Sequence, residues 1–337
     1  MSGKRPFGDV LAERVAERES QIVLGLDPDP GALWPGTLEL SGLGGSVRPA
    51  SGEELDNVAA EGAVPAQRHG SVDATTPAER AATAVVGHCR ALIDATASAC
   101  VAAKVQLACF ERLGAPGWKA LETVIAHARE RGLLVIADGK RGDISVSATA
   151  YAQALIGGLR TPFGALEGLQ ADLVTVNPLM GRDAVEPFVR AAREVGGAVL
   201  LLVRTSNPGA ADIEDLTLAG GEAVWERVAM IVDELGAPGL GESGLGDVGA
   251  VVGATVPSHL TRARELMRNA TFLLPGVGAQ GGRVEDLAPA FVPGRAGGLI
   301  TASRSIANAH LATGGSPAHA ALVETERLRE AAWTLFG

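Results

Sequence analysis

The residues best placed to do chemistry lie in one short run, Leu133-Leu134-Val135-Ile136-Ala137-Asp138-Gly139-Lys140-Arg141-Gly142-Asp143-Ile144. Five apolar residues lead straight into Asp138, Lys140, Arg141 and Asp143, with Gly139 and Gly142 between them. On a strand, residues i and i+2 share a face, so Asp138 and Lys140 point to the same side at its C-terminal end. A carboxylate beside an ammonium keeps it cationic and fixes its position. Such an ammonium can stabilise a developing carbanion and then protonate it. A carboxylate held against a substrate carboxylate is strained, and loss of CO2 relieves that strain. The same residues admit a plainer reading, in which Asp143 caps the following helix and Asp138–Lys140 is one ion pair at a strand mouth.

Elements on either side must position these groups. Residues 7–18 have helical periodicity, and 21–27 reads as a first buried strand stopped by Pro28 and Pro30. Residues 36–75 are rich in Gly, Ser, Ala, Pro and Glu and lack a period, so a mobile inserted loop is expected in the first βα connection. Further strands are expected over 102–107, through the run above, and over 172–177, 198–203, 248–252, 271–274 and 299–301. Helical patterns over 77–98, 117–131, 145–159, 182–195, 222–235, 257–268 and 318–334 alternate with them, and a glycine-rich connection spans 236–246. Eight apolar strands alternating with helices is the pattern of an α/β fold, a (β/α)8 TIM barrel forming a single domain over 1–337. A doubly wound open sheet is the alternative. In the barrel, side chains at the C-terminal strand ends converge. That brings Asp27, Lys104, Asp138, Lys140, Ser206, Gln280 and Arg304 to one site.

Composition narrows the class. With 47% hydrophobic but only 4% aromatic residues, the core must be built from Ala, Val, Leu and Ile. A net charge of −10 offers no basic footprint to a nucleic acid. Mean hydropathy is +0.19, yet no apolar run approaches the roughly 20 residues of a membrane span. Cys89, Cys100 and Cys109 lack metal-type spacing and read as reduced thiols of a cytoplasmic protein, and the N-terminus has no signal-peptide character. None of the six histidines closes a strand, so the expected chemistry uses neither a His base nor a metal–thiolate centre. The seventh and eighth connections of such barrels commonly hold a phosphate. Here they supply the loop 275–282, dense in glycine, and Arg304 at an expected helix start, where loop amides, helix dipole and guanidinium would meet the anion.

Taken together, Gly25-Leu26-Asp27-Pro28, Lys104 with Gln106 and Phe110-Glu111, Asp138 to Ile144, Thr205-Ser206-Asn207-Pro208-Gly209, Pro275 to Gly282 and Ser303-Arg304-Ser305-Ile306 resemble the orotidine 5′-phosphate decarboxylase family. The likeness is greatest to its longer bacterial subgroup. The resemblance implies cofactor-free and metal-free decarboxylation of orotidine 5′-monophosphate to uridine 5′-monophosphate, the last step of pyrimidine nucleotide synthesis. It implies a charged tetrad of Lys104, Asp138, Lys140 and Asp143, with Lys140 the proton donor to C6 and Asp138 set against the substrate carboxylate. It implies a homodimer in which Asp143 reaches the partner's site and Ser147 adds a ribose contact there. Asp27 and Lys104 would hold the ribose, Ser206 the pyrimidine, and Gln280, Gly281 and Arg304 the phosphate. Neither residues 36–75 nor the 236–246 connection receives a task from the family.

Two other readings stay open. A Mg2+-dependent sister decarboxylase or synthase shares D-x-K-x-x-D but needs an acidic ligand where this chain has Lys104. A nucleotide-binding regulator without activity should have lost a member of the charged array, and none is missing.

Overall fold

The computed structural model describes residues 4–37, 75–278 and 281–335. The insertion expected over 36–75 therefore lies, from 38 to 74, outside the described residues, as does Gln280. In chain order the strands are β1 (Ile22–Leu26), β2 (Ala102–Gln106), β3 (Leu134–Arg141), β4 (Leu159–Thr161), β5 (Gly164–Leu166), β6 (Leu173–Val176), β7 (Ala198–Arg204), β8 (Val248–Val252), β9 (Phe272–Leu274) and β10 (Gly298–Ala302). Eight of them close a parallel barrel in the order β1-β10-β9-β8-β7-β6-β3-β2. Their near-continuous apolar sequence follows from burial on both faces, helices outside and packed side chains within.

Inside the barrel, Val23, Ala102, Ile136, Leu173, Leu200, Val251, Leu273 and Leu299 form one cluster. Phe7, Leu11 and Val15 of the N-terminal helix (Phe7–Arg18) belong to the same cluster and close the N-terminal mouth. The glycine-rich connection packs against that helix. Ser243 N donates to Asp9 Oδ1 at 2.7 Å, and a Cβ at Gly241 would stand 2.3 Å from the same oxygen. Glycine is needed there for close approach. The helix Pro77–Thr96 starts where its letters say it should, with Pro77 in the first turn and a reciprocal Thr76–Glu79 capping box.

One sequence expectation is corrected. The helix expected over 145–159 ends at Leu155, because Gly157-Gly158 breaks it. The chain then makes an antiparallel hairpin, β4 with β5, outside the barrel. Among the described residues no helix is long and apolar enough to cross a membrane.

Candidate active site

The site is built on an irregularity in β3. Its register with β6 runs Ile136↔Leu173 and Ala137↔Val174, then jumps to Arg141↔Val176. Four steps along β3 thus match two along β6, which lifts residues 138–140 out of the ladder. Lys140 adopts φ +47°, a conformation that side-chain-bearing residues rarely take. Simple strand alternation therefore does not describe the Asp138–Lys140 pair; the bulge turns the lysine back over the carboxylate.

Asp138 is buried, and among the described residues four donors surround its carboxylate. Lys104 Nζ lies 2.7 Å and Gln106 Nε2 3.2 Å from Oδ2. Lys140 Nζ lies 2.6 Å and Thr175 Oγ1 2.8 Å from Oδ1. Burial alone pushes this carboxyl up, but the two ammonium groups and their hydrogen bonds prevail and hold it at about 2. For Lys104, burial disfavours the ammonium, while Asp138 and Asp27 favour it and prevail, so its pKa is raised. Asp27 completes the chain of charges, 3.5 Å from Lys104 Nζ. The result is an alternating −/+/−/+ array whose inner pair, Lys104 and Asp138, is buried while Asp27 and Lys140 are exposed.

This array walls one side of a cavity of about 230 Å³ at the C-terminal end of the barrel. Val251, Leu273, Pro275, Gly276 and Val277 form an apolar side, and Thr301, Ser303, Arg304 and Ser305 the far end. Gly25 makes room for this end, since a Cβ there would stand 1.8 Å from Ser303 Oγ. The short helix bearing Arg304 is tied down by Trp34, whose Nε1 donates to Ala307 O at 2.7 Å. Trp34 N in turn donates to His88 Nδ1 at 3.1 Å. Burial, with His310 nearby, holds that imidazole neutral, its pKa down at about 4.

Asp27, Lys104, Asp138, Lys140 and Arg304 are brought together as expected. Ser206 is not in the cavity lining; it packs on Gly253, where a Cβ would come within 2.9 Å of Ser206 Cα. Gly281 does not line the cavity either, and Gln280 lies outside the described residues. Asp143 and Ser147 are also away from it. Asp143 Oδ1 accepts the adjacent Ile144 N–H at 2.7 Å, and Ile144 itself occupies the N-cap position of the next helix.

The anticipated phosphate end needs one correction. The helix at Arg304 has four residues, Arg304–Ala307, too short for an appreciable dipole. The amides of Gly278, Gly281 and Gly282 are already engaged by carbonyls within their own loop. The Arg304 side chain, exposed and with no hydrogen bond or ion pair to a described residue, is the principal cation at that end. Sequence reading missed Thr175 and Thr301, hydroxyls on strands whose β-branched letters read simply as strand formers.

A profile of the orotidine 5′-phosphate decarboxylase / HUMPS family matches residues 79–313. The orotidine 5′-phosphate decarboxylase of Deinococcus radiodurans is 45% identical over 241 residues, 71% of this chain and 83% of that one. The chain belongs to the orotidine 5′-phosphate decarboxylase family. The relative of the same name from Haloarcula marismortui is 37% identical over 302 residues, 89% of this chain and 86% of that one. In three dimensions the chain is similar to Leishmania donovani UMP synthase, with TM-score 0.65 and 30% identity. That match takes in 97% of this chain and 57% of the other, longer one. The D-x-K-x-x-D strand, Lys104 and Arg304 thus fall within the family's matched region, whereas Asp27 precedes it.

Proposed function

We propose that this protein decarboxylates orotidine 5′-monophosphate to uridine 5′-monophosphate without a metal or cofactor. The observation that carries the reading is the Asp138 carboxylate, buried between two ammonium groups at one end of a cavity whose other end is the Arg304 guanidinium, unpaired among the described residues. With the phosphate on Arg304 and the ribose hydroxyls on Asp27 and Lys104, the pyrimidine C6 carboxylate meets Asp138. The C6–carboxylate bond breaks, CO2 leaves, and the electron pair stays on C6. The Lys140 ammonium stabilises that pair and then gives its proton to C6. Asp138 is held ionised by its four donors, so a like charge is present throughout the ground state.

We assign Ser206 to the pyrimidine edge, and Gln280 with Arg304 to the phosphate. We further assign a homodimer in which Asp143 and Ser147 act in the partner's site. Supporting it, the exposed apolar side chains Ile144, Val146, Leu179 and Met180 lie on the neighbouring connections after β3 and β6, beside Asp143 and Ser147. The cysteines are free thiols, two of them buried, which suits a reducing, cytoplasmic compartment.

The test is the ultraviolet absorbance of orotidine 5′-monophosphate incubated with the protein in excess EDTA. Turnover is expected. No turnover, with activity on a keto-sugar phosphate in Mg2+, would move the chain to the sister branch. Tight nucleotide binding with no turnover on either would make it a binding protein.

A further inference from the structure

Thr175 sits in the middle of β6, is completely buried, and belongs to no part of the tetrad. Its one hydroxyl does two things. It accepts the Lys140 main-chain N–H at 3.0 Å and donates to Asp138 Oδ1 at 2.8 Å. The direction of both bonds is fixed, because an amide can only donate and an ionised carboxylate can only accept. The β3 bulge creates the need for it: Lys140 is out of register with β6, so a side chain rather than the regular ladder meets its amide. The same residue holds φ +47°, a conformation that persists only where its surroundings impose it.

We propose that Thr175 is a positioning residue for the decarboxylation: its hydroxyl locks the Lys140 backbone and the Asp138 carboxylate into one rigid unit, so that the proton donor and the opposing charge keep a fixed relation to the substrate. Three further contacts already hold that unit at the side chains, Lys140 Nζ, Lys104 Nζ and Gln106 Nε2 on Asp138. These bind flexible stems, however, and leave the main chain free. The hydroxyl is the link from β6 that fixes the main chain itself. Its substrate is the one assigned above, and the proposal rests on that reading.

The experiment compares Thr175→Val, which keeps the shape and removes the hydroxyl, with Thr175→Ser, which keeps the hydroxyl. Steady-state kinetics on orotidine 5′-monophosphate and hydrogen exchange of the Lys140 amide are measured for each, alongside the wild type. A misplacement of about 1 Å at a reacting group lowers rate by about 10²-fold, so T175V should lose about that much kcat. Its KM should stay within about threefold, since Arg304 and Asp27 are untouched, and its Lys140 amide should exchange faster. T175S should recover both kcat and slow exchange. Wild-type kcat in T175V would overturn the proposal. So would equal losses in T175V and T175S, which would make the position a matter of packing. If the wild type itself does not turn over, the assigned reaction fails; unchanged Lys140 exchange in T175V would then refute the hydroxyl bridge separately.

Discussion

Lys104 and Lys140 share one carboxylate, yet removing them should destabilise the fold by unequal amounts. Bare attraction does not separate them: at 2.7 and 2.6 Å an effective dielectric of about 20 gives roughly 6 kcal/mol for either pair. Water does. The Lys104 side chain is 7% exposed, whereas that of Lys140 is 42% exposed and faces the cavity. Screening reduces the Lys140 pair to about 1 kcal/mol of stability. Truncating Lys104 leaves a buried carboxylate short of a partner, which costs about 3–5 kcal/mol. The backbone refines the expectation, since φ +47° at Lys140 is unfavourable by about 1 kcal/mol for any residue but glycine. Urea denaturation should therefore rank Lys140→Gly near the wild type, Lys140→Ala about 1 kcal/mol below it, and Lys104→Met lowest. Activity should not follow this ranking. Loss of the proton donor and of carbanion stabilisation together should lower kcat at least about 10⁴-fold in both Lys140 variants. The absorbance assay at saturating orotidine 5′-monophosphate reads this directly. Retention of more than about 1% of kcat, far above that expectation, would refute Lys140 as donor. Equal destabilisation by K140A and K104M would refute the burial argument.

Three other perturbations separate the remaining parts of the site. Arg304→Ala should raise KM about 10- to 100-fold, the worth of a charge-assisted contact to phosphate, and Arg304→Lys should recover only part of it, since lysine lacks the bidentate fork; an unchanged KM would remove Arg304 from the phosphate site. Asp138 is held at about 2 against an ordinary 3.8, so its ionised form contributes about 2 kcal/mol above pH 4, and this is lost as pH falls through 2. Wild-type stability measured between pH 5 and about 2 should therefore fall more steeply than that of Asp138→Asn; parallel curves would count against the assigned ionisation. Finally, mixing inactive Lys140→Ala with inactive Asp143→Ala subunits should regenerate activity if Asp143 serves the partner's site, and proven subunit exchange without recovery would count against the shared site.

The barrel was legible because its signals are local. Each apolar run of β1, β2 and β6 to β10 lies within a residue or two of its observed bounds, β3 runs on four residues past its apolar run, and β1, β2, β3 and β7 end in or beside polar residues that the topology then gathers. What was not legible arises between segments. The jump from Ala137↔Val174 to Arg141↔Val176 depends on how β3 lies against β6, and no letter in β3 announces it. Gly139 and Gly142 suggest glycine-made turns, yet the left-handed residue between them is Lys140. The hairpin β4–β5 was hidden by an alanine-rich helical pattern that runs up to Gly157-Gly158, although Pro162 and Gly164 mark its turn. Ser206, placed at the site by its strand end, and Asp143, placed there by resemblance, sit away from the cavity of a single chain, while Thr175, which no motif singles out, joins its two central groups. The pattern has one cause. Strand ends can be read from hydrophobic runs, but the state of Asp138 depends on donors 34 and 37 positions away in the chain, Lys104 and Thr175, and on burial that exists only when the barrel closes. Sequence therefore names the groups that can react. Their charge state, and the rigidity with which one is held over another, are properties of the closed barrel.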